Sequence, residues 1–269
     1  MCYFRWILLF GFALSLSIQL NAQQLYLRGS AGYALKLASQ NIDFYNHTSD
    51  TSSFNDSQVD VNFGKGWNGG LAAGYFFNPH IGCEIGFSYN RSGRITSKDI
   101  YTGGTTDYSL SARMYSFHAS VIITPGFEKV NPFAQFGIKA GTGSILYEYV
   151  ENSATDVLKQ KVIRNGGIGI GATGSIGIRY QLGKNIFCLG ELTMTGLSYA
   201  PARGEIIQFE HNGVDKLPGM TRHEKNTEYV RSFSYDNNQP PVDSEPRKEL
   251  RNKYPFSSVG ISFSCCYSF

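Results

Sequence analysis

The stretch "GGIGIGATGSIGIRYQLGK" (residues 166–184) decides the fold of this chain. Gly169, Gly171 and Gly174 stand in the spacing G-x-G-x-x-G, which in a dinucleotide-binding turn is followed at once by a helix. Here the alternation continues instead through Leu182, with isoleucine at four even positions and small or polar residues at the odd ones. A period of two residues is typical of a β-strand with one apolar face. The stretch is therefore predicted to be a strand and not a phosphate-binding loop.

The same alternation recurs in seven further segments, so eight strand-like segments are predicted. Together they cover residues 25–36, 66–77, 81–92, 113–124, 133–147, 166–184, 186–196 and 257–269. Short connections such as "NPH" and "GKN" alternate with four long ones, at about 37–65, 93–112, 148–163 and 198–256. Because short turns and long loops alternate, each kind is expected to gather at one end of the sheet.

The chemistry of the second face distinguishes a soluble sheet from a membrane sheet. A soluble sheet carries lysine, glutamate and threonine on its water-facing side. In these segments the second face carries glycine, serine and a few ions, which suits the lining of a narrow lumen whose apolar outside meets lipid. Strands in hydrocarbon must close on themselves, since unpaired backbone groups are costly there. The prediction is an all-β, eight-stranded antiparallel up-and-down transmembrane β-barrel, with an interior that side chains fill.

The composition and the N-terminus indicate an exported, nearly neutral protein. Charged residues make up 17% of the 269, while 30 glycines, 17 tyrosines and 19 phenylalanines are present. The formal net charge of +3 gives no electrostatic case for a nucleic-acid partner. Residues 1–22 combine Arg5, an apolar run and the small Ala22, which predicts a secretory signal cut after Ala22. An N-terminal membrane anchor is the alternative. The barrel domain is predicted over residues 23–269.

Four cysteines remain after the predicted cleavage. An even number in an exported protein ordinarily suggests disulfides, here two of them. Cys83, Cys188 and Cys265 fall on apolar strand faces, however, where a free thiol behaves as a small hydrophobe. Unpaired cysteines, Cys266 included, are the favoured prediction.

On these features the chain resembles the eight-stranded outer-membrane β-barrel proteins of Gram-negative bacteria, the OmpA/OmpX-like group. The resemblance covers residues 25–269 and rests on the short turns, the long loops and the C-terminal aromatic residue. It implies an outer-membrane location, both chain ends in the periplasm, contact with outer-membrane lipid and insertion by the barrel-assembly machinery. Tyr267 and Phe269 resemble the terminal strand signal that this machinery reads, although Gly260 lies further upstream than the glycine of that signal.

Six ionisable residues fall on the face predicted to line the lumen: Arg28, Glu84, His118, Lys139, Arg179 and Glu191. Charges in a narrow bore need partners, so a network of ion pairs and hydrogen bonds is expected. Arg179 and Glu191 lie on adjacent strands near a common turn, within diagonal reach of one another. The network is interpreted as a static polar plug, with a gate that admits small solutes as the alternative.

No catalytic, cofactor-binding or metal site is predicted. His118 shares its segment with Ser116 and Ser120 but faces inward, where a lipid-modifying enzyme would not act, and no acidic partner can be assigned to it. Recognition would reside in the long loops. The predicted function is non-enzymatic: a structural role in the membrane or surface contact through the loops. A small-solute channel and, less favoured, a lipid-modifying enzyme are the alternatives.

Overall fold

A computed structural model of the chain describes residues 24–40, 44–49, 53–234 and 240–269. The predicted signal sequence, residues 1–22, lies outside the described residues. Almost all regular structure in the described part is β-strand, and the strands belong to a single sheet. Within these ranges there is no helix long and apolar enough to cross a membrane.

Seventeen strands and two short helical turns are found in the described ranges. In chain order, β1 to β17 span Gln24–Lys36, Tyr45–Ser49, Phe54–Gln58, Gly66–Phe76, Ile81–Ser92, Ile95–Tyr101, Gly104–Ile123, Val130–Ser153, Val157–Asn165, Gly169–Gln181, Ile186–Tyr199, Arg203–His211, Val214–Asp215, Asn226–Val230, Arg247–Leu250, Tyr254–Pro255 and Ser258–Ser268. A 3-10 turn, Leu217–Gly219, and helix α1, Arg222–Lys225, stand between β13 and β14. Helix α1 begins at a capping box formed by Thr221 and Glu224.

Eight long strands are joined side by side in antiparallel pairs. The pairs are β1 with β4, β4 with β5, β5 with β7, β7 with β8, β8 with β10, β10 with β11, β11 with β17, and β17 with β1. The pairing thus returns to the strand at which it started, and we call these eight strands the strand ring. Each ring strand has a partner on both edges, which is the condition for strands in hydrocarbon.

The all-β prediction is confirmed, and each of the eight predicted segments lies within or overlaps one strand of the ring. The opening stretch forms β10, so its Gly169, Gly171 and Gly174 lie in a strand and hold no phosphate loop. Gly166 and Gly167 just before it adopt positive φ angles of 74° and 78°, where the chain turns into the strand. The described chain has more strands than the eight predicted, because most of the predicted loops also fold as strands.

The additional strands extend the sheet on the side of the long connections. The pairing of β7 with β8 continues as far as Gly104 opposite Ser153. Strand β6 pairs with β7, β9 pairs with β8 and β12, and β14 pairs with β12. The hairpin of β2 and β3 is attached to these strands by a parallel pairing of β2 with β6. We call this extension the distal sheet, and the end with the short turns the proximal end.

The two faces of the ring differ as the alternation predicts. The face predicted to be apolar is exposed, with exposures of 71% at Leu71, 74% at Ile170 and 70% at Phe263. The opposite, inner face is largely buried and carries the predicted polar residues. This division follows from the pleat, since consecutive side chains of a strand point to opposite faces.

The inner face is not polar along its whole length, which corrects the prediction of a hydrophilic lumen. Two clusters of buried apolar side chains lie at its ends. The proximal cluster contains Tyr26, Phe76, Ile122, Phe133, Phe187, Leu189 and Cys266. The distal cluster contains Phe44, Val61, Phe63, Leu110, Ala112, Met114, Ile145, Leu197, Tyr199, Tyr254 and Phe256. The buried carboxylates Glu84 and Glu191 lie between the two clusters. The alternation did not predict this division, because it shows which face a residue occupies and not its depth in the ring.

The four cysteines in the described part of the chain are free thiols, as favoured from their positions. Cys265 is exposed on the outer face and lies opposite Cys188 in the pairing of β11 with β17. Cys266 is buried in the proximal cluster. A free thiol in either place behaves as a small apolar side chain.

Candidate functional site

Arg28 is the centre of the polar groups inside the strand ring. It projects from β1 and contacts two carboxylates, with 3.3 Å between its Nη1 and Oε1 of Glu84 on β5. Its Nη2 donates to the carboxylate of Glu191 on β11, and its Nε donates to Oγ of Ser264 at 3.0 Å. The three charged side chains are only 11%, 1% and 2% exposed. The planar, forked guanidinium suits a position between two carboxylates.

The carboxylate of Glu84 has three partners besides Arg28. The hydroxyl of Tyr26 donates to its Oε2 at 2.7 Å, and Nε2 of Gln135 donates to its Oε1 at 2.9 Å. Nε2 of His118 lies 3.5 Å from the same Oε1. We call Arg28, Glu84, His118, Gln135 and Glu191 the polar network. Its hydrogen bonds offset the cost of placing charges where little water reaches.

Glu191 is satisfied by hydroxyl groups as well as by the guanidinium. Ser175 on β10 donates to its Oε2 at 3.1 Å, and Ser262 on β17 donates to its Oε1 at 2.9 Å. The serines that the alternation placed on the inner face are therefore hydrogen-bond donors to a buried carboxylate. The alternation of the strands identified the face on which these serines lie. Nothing in the sequence indicated to which carboxylate they donate.

The predicted pairing of Arg179 with Glu191 is wrong. Glu191 pairs with Arg28, whereas the guanidinium of Arg179 lies 5.3 Å from the ring centres of both Phe76 and Phe187. In the pairing of β10 with β11, Gly177 is opposite Glu191, and Arg179 lies two residues nearer to the turn, opposite Leu189. Arg179 therefore contacts the aromatic rings of the proximal cluster, where a cation–π interaction replaces the ion pair.

Lys139 also lies outside the polar network. It is opposite His118 in the pairing of β7 with β8 and lines a central cavity of about 130 Å³. Residues of the polar network and of the distal cluster enclose the same cavity. Asn90 lines it too, and its Oδ1 is buried without a hydrogen-bond partner among the described residues. A polar cavity of this volume has room for several waters, at roughly 30 Å³ each.

His118 lies against a carboxylate in the polar network. Its ring contacts Glu84, an acidic partner that the sequence did not identify. Ser120 donates to the backbone oxygen of Glu84 at 3.3 Å and accepts from Gln135 at 2.6 Å. Among the hydrogen bonds of the described residues, none joins His118 to Ser116 or Ser120. A serine nucleophile needs such a contact with its base; among the described residues, His118 and Ser120 are instead both linked to Glu84.

The distal sheet carries a second group of charges, around Glu148 on β8. Lys161 on β9 lies 3.2 Å from its carboxylate, Arg94 contacts it as well, and Ser109 on β7 donates to it at 3.0 Å. These residues line a groove of about 720 Å³ together with Lys98, Lys159 and Asp107. Although burial raises the pKa of the Glu148 carboxyl, Lys161, Ser109 and Arg94 together hold that pKa below its ordinary value of 4.5.

Acidification is expected to loosen the distal sheet through Glu148. A lowered pKa in the folded state means that the contribution of the group is full above pH 4.5 and is lost as the pH falls further, through the folded pKa. Amide hydrogen exchange in β8 and β9, corrected for the intrinsic rate, should accelerate below pH 4.5 in the wild type. The Glu148→Gln variant should exchange faster at pH 7 and show a smaller acid-dependent change. Equal profiles in the two proteins would contradict this assignment.

Comparison with known proteins gives one family match and several distant structural matches. Residues 9–215 match the family model described as outer membrane protein beta-barrel domain. A protein of Coxiella burnetii described as uncharacterized is 39% identical over 64 residues, which cover 24% of this chain and 25% of that protein.

Three solved structures are similar over most of their length. Neisserial surface protein A is 12% identical, with 91% of this chain and 97% of that chain covered and a TM-score of 0.36. Ail, the attachment invasion locus protein of Yersinia pestis, is 12% identical, with 93% and 100% covered and a TM-score of 0.37. The outer membrane protein AlkL is 11% identical, with 93% of each chain covered and a TM-score of 0.33.

Proposed function

Because this chain belongs to the family of outer-membrane protein β-barrel domains, we propose that it makes contacts at the cell surface and conducts no solutes. In this proposal the strand ring is an eight-stranded transmembrane barrel, the distal sheet lies outside the cell, and both chain ends lie in the periplasm. The barrel anchors the protein in outer-membrane lipid. The distal sheet carries the function.

The outer face of the strand ring supports the transmembrane role. Large apolar side chains are exposed on it along every ring strand, and Trp67 packs edge-on against Tyr33 with 5.3 Å between the ring centres. An exposed apolar face of this extent would be a liability in water and is the norm in lipid. Aromatic pairs of this kind suit the level of the lipid headgroups.

The filled lumen is the observation that carries the non-conducting role. Met114, Tyr199 and Phe256 of the distal cluster are each less than 5% exposed. The proximal cluster occupies the opposite end, and Arg28 reaches between strands on different sides of the ring to join Glu84 and Glu191. A conducting path would require apolar clusters at both ends and an ion-paired centre to move together. Side chains are expected to fill a ring of eight strands.

Export, assembly and the absence of catalysis are further parts of the proposal. We propose that residues 1–22 are a cleaved signal and that Tyr267 and Phe269 are read by the barrel-assembly machinery. The rings of Tyr267 and Phe269 pack edge-on with 5.2 Å between centres and are exposed, as a docking signal needs to be. We propose no enzymatic activity and no nucleic-acid partner, and unchanged lipid A masses with and without the gene are expected.

Planar-bilayer recordings test the non-conducting role. The protein, refolded and shown to migrate as a compact species in unheated gel samples, is expected to give no reproducible conductance steps. An eight-stranded porin-like pore should give uniform steps in the same apparatus, and such steps would replace the proposal with the channel alternative. Surface contact is tested separately by comparing the adhesion of cells that display the protein with that of matched cells that do not. Equal adhesion, with display verified, would contradict the surface role.

A further inference from the structure

A cavity of about 440 Å³ lies in the distal sheet, directly on the distal cluster. Phe44, Leu110 and Tyr254 of that cluster form part of its lining and are each less than 8% exposed. We call it the upper cavity. Its volume falls in the range of roughly 300–1,000 Å³ that small-molecule sites occupy. It is separate from the central cavity, with which it shares no lining residue.

Two half-buried tyrosines form the aromatic side of the upper cavity. The ring of Tyr108 on β7 lies 6.2 Å from that of Tyr147 on β8 and 6.2 Å from that of Phe44. All three line the cavity. A tyrosine ring offers an apolar face together with a polar hydroxyl, so it suits an occupant with both kinds of surface.

Polar groups line another part of the upper cavity. The parallel pairing of β2 with β6 sets His47 opposite Asp99, and the His47 ring contacts the carboxylate of Asp56 on β3. These three residues and Ser97 line the cavity. Carboxylate oxygens accept hydrogen bonds from hydroxyl groups of an occupant, and hydroxyls of the protein both donate and accept.

Arg164 contributes a guanidinium to the lining of the upper cavity. Its guanidinium lies 5.5 Å from the ring centre of Tyr147 and 5.9 Å from that of Tyr229, and its Nη1 donates to the hydroxyl of Tyr254. Its Nε–H is buried and has no hydrogen-bond partner among the described residues, although Arg164 lines the cavity. Arg164 therefore places one positive charge at the lining of the cavity.

We propose that the upper cavity binds an uncharged pyranose unit of a glycan. A pyranose presents C–H groups to aromatic faces and, at its edge, hydroxyls that donate to Asp99. The lining carries two carboxylates, Asp56 and Asp99, against one guanidinium, which disfavours an acidic or phosphorylated sugar. This inference rests on the proposed surface role and specifies its ligand class. The glycan comes either from another cell or from the oligosaccharide of the same outer membrane.

An array of neutral glycans tests the proposal with the full mature chain, purified in detergent. The array includes neutral host-type oligosaccharides and a dephosphorylated core oligosaccharide from lipopolysaccharide, and affinities for bound probes are measured by calorimetry. At least one neutral probe is expected to bind. Tyr108→Leu should weaken that binding about tenfold or more, whereas Tyr108→Phe, which keeps the ring face, should stay within about threefold.

Matched aspartate variants separate the site from a general charge effect. Asp99→Asn is expected to weaken binding by about tenfold. Asp107→Asn removes the same charge from the neighbouring strand of the β6–β7 pair, lines the adjacent groove instead, and should leave affinity unchanged. Compact gel mobility of unheated samples verifies that each variant is folded.

The outcomes distinguish this inference from the surface role itself. Binding of the core oligosaccharide alone assigns the ligand to the protein's own membrane, and binding of the host-type probes alone assigns it to another cell. Binding of no neutral probe, or equal weakening by Asp99→Asn and Asp107→Asn, overturns the sugar site. Neither result bears on the proposed surface role. That role is tested by the bilayer recordings and the adhesion assay.

Discussion

Replacing Arg28 by methionine is expected to lower the free energy of unfolding by about 3–5 kcal/mol. The substitution removes the cation that lies between Glu84 and Glu191, both almost fully buried. Both carboxylates then lose the guanidinium that contacts them, and leaving buried charges unpaired is the costly part of breaking an ion pair. Methionine keeps most of the volume of the side chain, so the loss is mainly electrostatic.

The control is a triple variant, Arg28→Met with Glu84→Gln and Glu191→Gln. It removes all three charges and places uncharged carboxamide groups of similar shape where the carboxylates were. Most of the stability lost in Arg28→Met should therefore return. Glu191→Gln alone should cost less than Arg28→Met, because Arg28 retains Glu84. Unfolding by urea in lipid vesicles measures the effect through the fluorescence of Trp67, which is exposed on the outer face. A triple variant as unstable as Arg28→Met would show that packing, and not charge, explains the loss.

Substitution of Gly74 by valine is expected to cost about 3 kcal/mol. A Cβ built at Gly74 would lie 2.1 Å from Cζ of Tyr26, whose ring covers this glycine from the neighbouring strand. Tyr26 is 2% exposed, and its hydroxyl donates to Glu84. Valine therefore forces the ring to move, which both overpacks the proximal cluster and removes a hydrogen bond from a buried carboxylate.

Gly196→Val is the matched control for Gly74→Val. Gly196 also lies in a ring strand, but it is on the outer face and a Cβ there would meet nothing within 4 Å. Valine at that position should be neutral or slightly stabilising, because β-branched residues suit strands. Tyr26→Phe isolates the hydroxyl and should account for about half of the loss in Gly74→Val. Equal unfolding free energies for the two glycine variants would contradict the role given to the Tyr26 ring.

The fold was predictable because its main signal is local. Ile170, Ile176 and Ile178 alternate with small residues, and all three are more than half exposed on the outer face. The alternation also placed Arg28, Glu84 and Glu191 on the inner face, where the structure has them. What it missed were the apolar inner-face residues near strand ends, such as Phe76 and Phe187, because the alternation does not show how deep in the ring a residue lies.

The sequence predicted most of the charged residues of the candidate site but not which of them form ion pairs. The sequence paired Arg179 with Glu191, because cross-strand reasoning considers neighbouring strands. Arg28 on β1 instead joins residues of β5 and β11, neither of which is adjacent to β1. A long side chain in a narrow ring contacts the far strands as readily as the near ones. The upper cavity was beyond sequence reasoning too, since it needs the docking of β2 on β6.

The sequence by itself determined which side chains point outward and which point inward, since a strand alternates its faces every residue whatever surrounds it. The tertiary structure decided which inward side chains meet, where the lumen is filled and how the long connections fold into the distal sheet. The physical reason is ring closure, which brings together residues as far apart in the chain as Arg28 and Ser264, 236 positions. No local pattern encodes a contact over that distance.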